Sequence, residues 1–504
     1  MDRIATQSVV LEGGVIQNLP TIDQGMNNPG SLQVGQNLEP DYNGGYSTLT
    51  GYTKSDTDTV DGAGSPVDGV FISSDAFCAV SGRDFYTSTG SGWTKRNSTQ
   101  LNASPGTYIG SNYYFGATET LIFVNGKDYP QQWDGTSFTI LNSIALTGAT
   151  AATYVTSHKY HMFYCRDQLV TFSKPGDPST VSGGGGQINV GHEVTALVSY
   201  RDSLYCLGPG AISKITGSTS QDFSLEAVST SIGIIAPRTL HEVNGDIVFL
   251  AKDGLRSIAA TEKLDDINLE NLSRNIEKGI RDAEPTEESK DVCAVVLNSK
   301  NQYRIFISDS TLSRGAQPGF LGALRKQSKG GIAWEWFTTL GFEANCANYG
   351  SMNGLETVVH GDYDGYVHTQ EIGRSFDGDN IAVTMKFPYW SFNDPEIRKT
   401  LHKLRSYISA TGSVNPTYQM TLDYLDTVRP QPTALNGATA TGTFAQYGTA
   451  TYGNSVYSGG LTYVTEFYLV GTCFNAALTI SSSDTNVPYT VQTLNIQYGI
   501  GGRK

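Results

Sequence analysis

Charge is scarce in this chain. Only 16% of its 504 residues are Asp, Glu, Lys or Arg, against about 25% in an average soluble protein. What charge there is leans one way: 48 acids against 34 bases give a net charge of −14. A chain this acidic does not grip nucleic-acid phosphates by charge. Cysteine is sparse too. Cys78, Cys165, Cys206, Cys293, Cys346 and Cys473 lie far apart with no C-x-x-C spacing, which removes zinc and dithiol motifs. Their apolar neighbours, as in Phe163-Tyr164-Cys165, make them small buried hydrophobes of a reducing compartment. No apolar run approaches the ~18 residues of a membrane-crossing helix. Met1-Asp2-Arg3-Ile4-Ala5-Thr6-Gln7 has neither the basic nor the apolar region of a signal peptide. No membrane anchor is expected.

Catalytic signatures are missing as well. No G-x-x-x-x-G-K-[ST] and no H-E-x-x-H occurs. Gly183-Gly184-Gly185-Gly186 follows Ser and Pro instead of a strand, so it reads as a loop and not as a dinucleotide fingerprint. His158 and His161 flank Tyr160 with no third metal ligand near them in sequence. Asp362-x-Asp364-Gly365 begins like a calcium loop, but the position that needs glutamate is Gly373. Trp133-Asp134-Gly135 occurs once and defines no repeat family. Ser88-Thr89-Gly90-Ser91-Gly92-Trp93 lacks the aspartate of the sialidase turn. No catalytic, cofactor-binding or metal-binding residue is therefore expected, and no cofactor.

Glycine (56 residues), tyrosine (28) and abundant Thr, Ser, Val and Asn are what the chain does have. That mixture suits short strands joined by tight turns, and predicts an all-β protein. Residues 1–60 carry seven acids and two bases in a polar, turn-rich stretch with a strand candidate at Ser8–Leu11. They read as an extended arm lying over something else.

Residues 61–375 repeat. An apolar strand, a basic residue, Asp and a second strand recur around Arg83-Asp84, Lys127-Asp128, Arg166-Asp167, Arg201-Asp202 and Lys252-Asp253. Two looser units lie at Asn298–Ile307 and Val358–His368. The Arg/Lys-Asp pair reads as a hairpin turn, where Asp bonds its own backbone and tolerates unusual dihedrals. A spacing of about 40–45 residues is that of four-stranded propeller blades. The expectation is a β-propeller of about seven blades, with six or eight also compatible. Leu264–Ile280, with apolar residues at 269, 272, 276 and 280, predicts a short helical insertion near 264–283, N-capped by Ser273.

Residues 376–504 hold eight acids and eight bases, so the whole acid excess belongs to the first three-quarters of the chain. Alternation at 399–408, 418–425, 475–480 and 491–498 predicts a separate C-terminal β-domain, a sandwich or platform, with 436–460 as a long connection.

The arm reads Gly25-Met26-Asn27-Asn28-Pro29-Gly30-Ser31-Leu32-Gln33-Val34-Gly35-Gln36-Asn37-Leu38, followed by Gly44-Gly45 and Gly51-Tyr52. Near the other end stand Gly448–Gly460 and Ile496-Gln497-Tyr498-Gly499-Ile500-Gly501-Gly502-Arg503. These stretches resemble the tail nozzle, or tubular tail and DNA-stabilisation, proteins of short-tailed bacteriophages. The resemblance implies a non-enzymatic virion protein: a propeller beside a β-rich platform, in a homohexameric ring below the portal and adaptor. The ring would be the distal DNA conduit, retaining and releasing the genome, carrying fibres or spikes and made in the host cytoplasm. DNA would pass its lumen without specific binding, helped by an acidic wall. The competing expectation is a carbohydrate-binding or carbohydrate-cleaving propeller, such as a receptor-binding tail protein, with Trp133, Trp334 and Trp336 stacking on sugars. A monomeric protein-interaction propeller is a third.

Overall fold

The computed structural model describes residues 4–102, 107–116, 118–142, 144, 151–258, 271–283, 291–328, 330–410, 412, 414–426, 430–437, 461–485 and 488–501. Strands dominate it, and most join into small antiparallel sheets of sequence-adjacent strands. The first four blades span 67–95, 109–140, 154–189 and 196–229, with four strands each. The fifth, 241–257, shows three strands among the described residues. The last consists of Cys346–Met352, Leu355–Gly361 and Val367–Gln370, completed by Tyr52–Lys54 from the arm. Borrowing a strand from the far end of the propeller closes the ring and covers an edge that would otherwise lie open.

The propeller thus has six self-contained blades, where about seven equal ones are expected from the spacing. The unit around Asn298–Ile307 accounts for the difference. Its strands Asp291–Leu297, Gln302–Ser308, Pro318–Lys326 and Ile332–Leu340 sit between the fifth and last blades. They do not end as a blade. Val34–Gln36 of the arm pairs parallel to Ile332–Leu340 and antiparallel to Ile381–Lys386, carrying the sheet on into the C-terminal domain. Nine strands result, half propeller and half platform.

Apolar layers fill the spaces between successive blades. Phe71, Phe85, Phe123 and Trp133 form one such layer, and Phe163, Phe172, Leu197 and Leu204 another. This explains the aromatic content: each wedge between twisted sheets is filled by rings. All six cysteines are buried and free.

The C-terminal domain is a sandwich. One layer is the platform half of the nine-stranded sheet. The other is antiparallel, built on Lys399–Ala410 and Tyr489–Ile500 and extended by Leu461–Tyr468 on one side and Ile4–Val10 on the other. Tyr418 donates to Ser406 at 3.0 Å across the two layers. The four predicted strands are present, although the second ends at Leu422 and Asp423–Leu425 form a 3-10 turn, and the arm is woven into both sheets.

The helical insertion is smaller than expected. Among the described residues it is a 3-10 turn, Arg274–Ile276, leading into Glu277–Asp282; positions 264–270 lie outside them. Ser273 precedes the turn but makes no cap bond. Its hydroxyl accepts from the Leu255 amide at 2.9 Å and donates to Asn271 at 2.8 Å, tying the turn to the fifth blade. Of the expected connection 436–460, positions 438–460 lie outside the described residues.

Candidate functional site

The innermost strands of the blades surround the propeller axis. Three of them begin at one mouth of that axis: Val67–Ser73, Asp291–Leu297 and Cys346–Met352. Their heads bring together residues distant in sequence. Asp68 and Asp291 each sit at the head of an apolar strand, Asn345 just precedes one, and Arg238 comes from the turn Pro237–Thr239.

Arg238 is the hub. One amino group donates to the Asn345 carbonyl at 2.7 Å and the other to Asp291 at 3.1 Å. The second Asp291 oxygen accepts from the Tyr363 hydroxyl at 2.7 Å. Asn345 in turn donates to the Val67 carbonyl at 2.9 Å. Asp68 stands near this pair without sharing its bonds. Burial first, and then the negative charge of Asp291, push its carboxyl up to about 6, against the pull of Arg238. His241 lies deeper, donating to the Ala294 carbonyl at 2.8 Å, and burial lowers it to about 4.

The mouth therefore offers one carboxyl pushed up to about 6 and a second held by an arginine and a tyrosine. Such a pair can bind a polar ligand or pass a proton. No sequence motif pointed to these residues. An acid ahead of an apolar run is an ordinary strand beginning, and only ring closure brings positions 68, 238 and 291 together.

The residues weighed in the sequence fall elsewhere. Four of the five Arg/Lys-Asp pairs lie at hairpin turns; Arg83, Asp167 and Arg201 have φ of 78°, 52° and 52°. Asp362 holds a turn as well, its Oδ1 accepting from the amides of Asp364 and Tyr366 at 3.0 and 2.7 Å. His158 and His161 face one another across a hairpin. Their Nδ1 atoms engage the Ser199 hydroxyl and the Ser173 carbonyl instead of a shared centre. Among the described residues no three metal-ligating side chains come together. Trp133 and Trp336 are buried, and Trp334 stacks on Trp336 at 5.3 Å, so these rings pack against protein.

Neither a family model nor a curated protein matches the chain. Solved structures do. The extracellular domains of a hybrid two component system (BT3049) and a one component system (BT4673), both from B. thetaiotaomicron, align at 9% and 8% identity. They have TM-scores of 0.38 and 0.40, over 63% and 64% of this chain. Only 43% and 40% of those two chains are covered. The WD40 β-propeller domain of Doa1 aligns at 13% identity and TM-score 0.37, over 64% of this chain and 97% of that one.

Proposed function

We propose that this chain is a structural virion protein, the tail nozzle subunit of a short-tailed bacteriophage. Six copies would form the distal DNA conduit beneath the adaptor, with fibres or spikes docked laterally. The reading rests on one observation: the arm segment that carries the family resemblance is the segment that stitches propeller to platform. Within Gly25–Leu38, Val34–Gln36 joins the two halves of the nine-stranded sheet. Asn37 donates to the Leu340 and Ala382 carbonyls at 3.0 and 2.9 Å, one on each half. The motif thus serves a propeller-plus-platform body, the architecture the resemblance implies. The acid excess of arm and propeller suits a wall that DNA must slide past. Imaging of the purified chain and antibody labelling of phage particles test this. Six-fold rings and labelled tails are expected; a monodisperse monomer and unlabelled tails would overturn it.

A second reading, a carbohydrate-binding or carbohydrate-cleaving propeller, draws on Asp68 and Asp291 meeting at the axial mouth. Glycan binding or hydrolysis abolished by Asp68→Asn and Asp291→Asn would favour it over the nozzle.

A further inference from the structure

The second sheet of the platform is antiparallel throughout and, among the described residues, ends in two edge strands. Ile4–Val10 pairs with Tyr489–Ile500 alone among the described residues, and Leu461–Tyr468 with Lys399–Ala410 alone. Three antiparallel steps separate these edges, so the two edge strands run in opposite directions. Laid side by side from two copies, they would make one more antiparallel pair and continue the sheet without inverting it.

The side chains agree with the directions. Val10 opposes Thr493, Thr493 opposes Tyr407 and Tyr407 opposes Val464, so Val10 and Val464 lie in one row on one face. Thr6, Gln497, Lys403 and Tyr468 form the next row but one on that same face. Along this face the edges expose apolar groups: Ile4 is 66% exposed, Val10 56%, Val464 53% and Tyr468 75%.

Edge strands are normally guarded by charge, proline or shortness. The blades follow that rule: Thr94–Lys95 is two residues long and carries a lysine, Phe138–Ile140 is three residues, and Ser224–Ser229 carries Glu226. Ile4–Val10 is seven residues with no charge and no proline. On the opposite edge the one acid, Glu466, is neutralised by Lys403 at 2.6 Å and Arg405 at 2.7 Å. Neither strand carries a lysine or a proline, the two are of matched length, and Gly30 covers the Val10 carbonyl at the end of the arm strand, which leaves Ile4–Val9 as its free stretch among the described residues.

We infer that a second copy of this chain occupies each edge, Ile4–Val10 of one protomer adding to Leu461–Tyr468 of the next, with Val10 opposite Val464. The contact is head to tail, since it joins two different surfaces, and such contacts close into rings when the rotation between copies permits. Main-chain bonds supply the affinity, as in other cases of strand addition. The inference deepens the ring proposed above and rests on it.

A double variant, Val10→Cys with Val464→Cys, tests it. Both sites are exposed, and all six native cysteines are buried. A short bis-maleimide should convert most of the chain into a ladder of dimers, trimers and higher species on a denaturing gel. Each single variant should give less than a tenth of that. Dimers from Val10→Cys alone would show two-fold pairing of like edges and overturn the inference. Six-fold rings seen by imaging but no ladder would also overturn it, leaving the nozzle reading intact. A ladder in open filaments that never close would uphold the strand addition and remove the nozzle. Monomers without cross-links would remove both. Thr6→Lys with Ser8→Lys, on the exposed face of the arm strand, should weaken assembly at least tenfold by sedimentation while the unfolding midpoint stays unchanged. Unaltered assembly of that variant would count against the edge.

Discussion

Gly30 lies flat against the carbonyl of Val10: a Cβ at position 30 would overlap that oxygen. The Gly30 carbonyl also accepts from the buried Tyr46 hydroxyl at 2.9 Å, so the backbone is held on both sides. Gly25 meets the Tyr389 carbonyl in the same way. Gly25 and Gly30 are thus places where two backbones touch. Gly30→Ala should destabilise the chain by about 3 kcal/mol, the upper end of overpacking costs, because a main chain cannot step aside as a rotamer can. Gly210→Ala, with open space around it, should stay within about 0.5 kcal/mol. Urea unfolding of both variants checks the contrast.

What could be read from the sequence follows the range of the interactions. Hairpins are local, so Asp167 at positive φ and Asp202 beside Arg201 announce their turns by residue type. The rhythm of the blades is local too, and so are the alternating strands of the platform. The union of Val34–Gln36 with Ile332–Leu340 spans some 300 positions and registers a single pair, Gln36 with Thr338, too little to leave a periodic trace. For that reason the 298–307 unit reads as a blade like any other, when its sheet in fact runs on. Asp68, Arg238 and Asp291 were illegible for the same cause: each has ordinary neighbours, and the ring alone makes them a cluster.

Trp336 separates packing from ligand stacking. It is 1% exposed, its indole nitrogen donates to the Leu272 carbonyl at 2.8 Å, and its ring fills the space above Gly322. Trp336→Phe keeps an aromatic but strands that carbonyl, and should cost about 1–3 kcal/mol. Thermal unfolding reads the loss. An unchanged midpoint would mean that the bond to the helical insertion contributes nothing.

Glu371 gives the fold an acid-sensitive joint. Burial pushes its carboxyl up, but Arg304 at 2.5 Å and Lys300 at 2.6 Å outweigh that and hold it down at about 2. Glu39 of the arm shares the same two cations. A carboxyl lowered on folding adds stability above its unfolded value near 4.5, and that stability drains as pH falls toward 2. The loss should reach up to about 3 kcal/mol. Glu371→Gln should flatten the stability profile between pH 5 and 2. At pH 7 it should be the weaker protein, because Arg304, 2% exposed, loses its nearest counter-charge. Urea midpoints across that range decide the matter.

Asp68 should behave in the opposite sense. Its carboxyl rises to about 6 on folding, through burial first and the charge of Asp291 second. A raised carboxyl favours the folded state only while it keeps its proton. The contribution is whole below about 3.8 and is lost as pH rises through 6. At pH 7.5 the ionised group is a burden, lessened by solvent screening at this half-open mouth. Asp68→Asn should therefore stabilise the chain by about 1–2 kcal/mol at pH 7.5. The advantage should shrink to nothing near pH 4, where wild type carries the proton itself. Calorimetry of both proteins at the two pH values tests this. A gain that did not depend on pH would place its origin in packing and leave Asp68 without a proton to exchange.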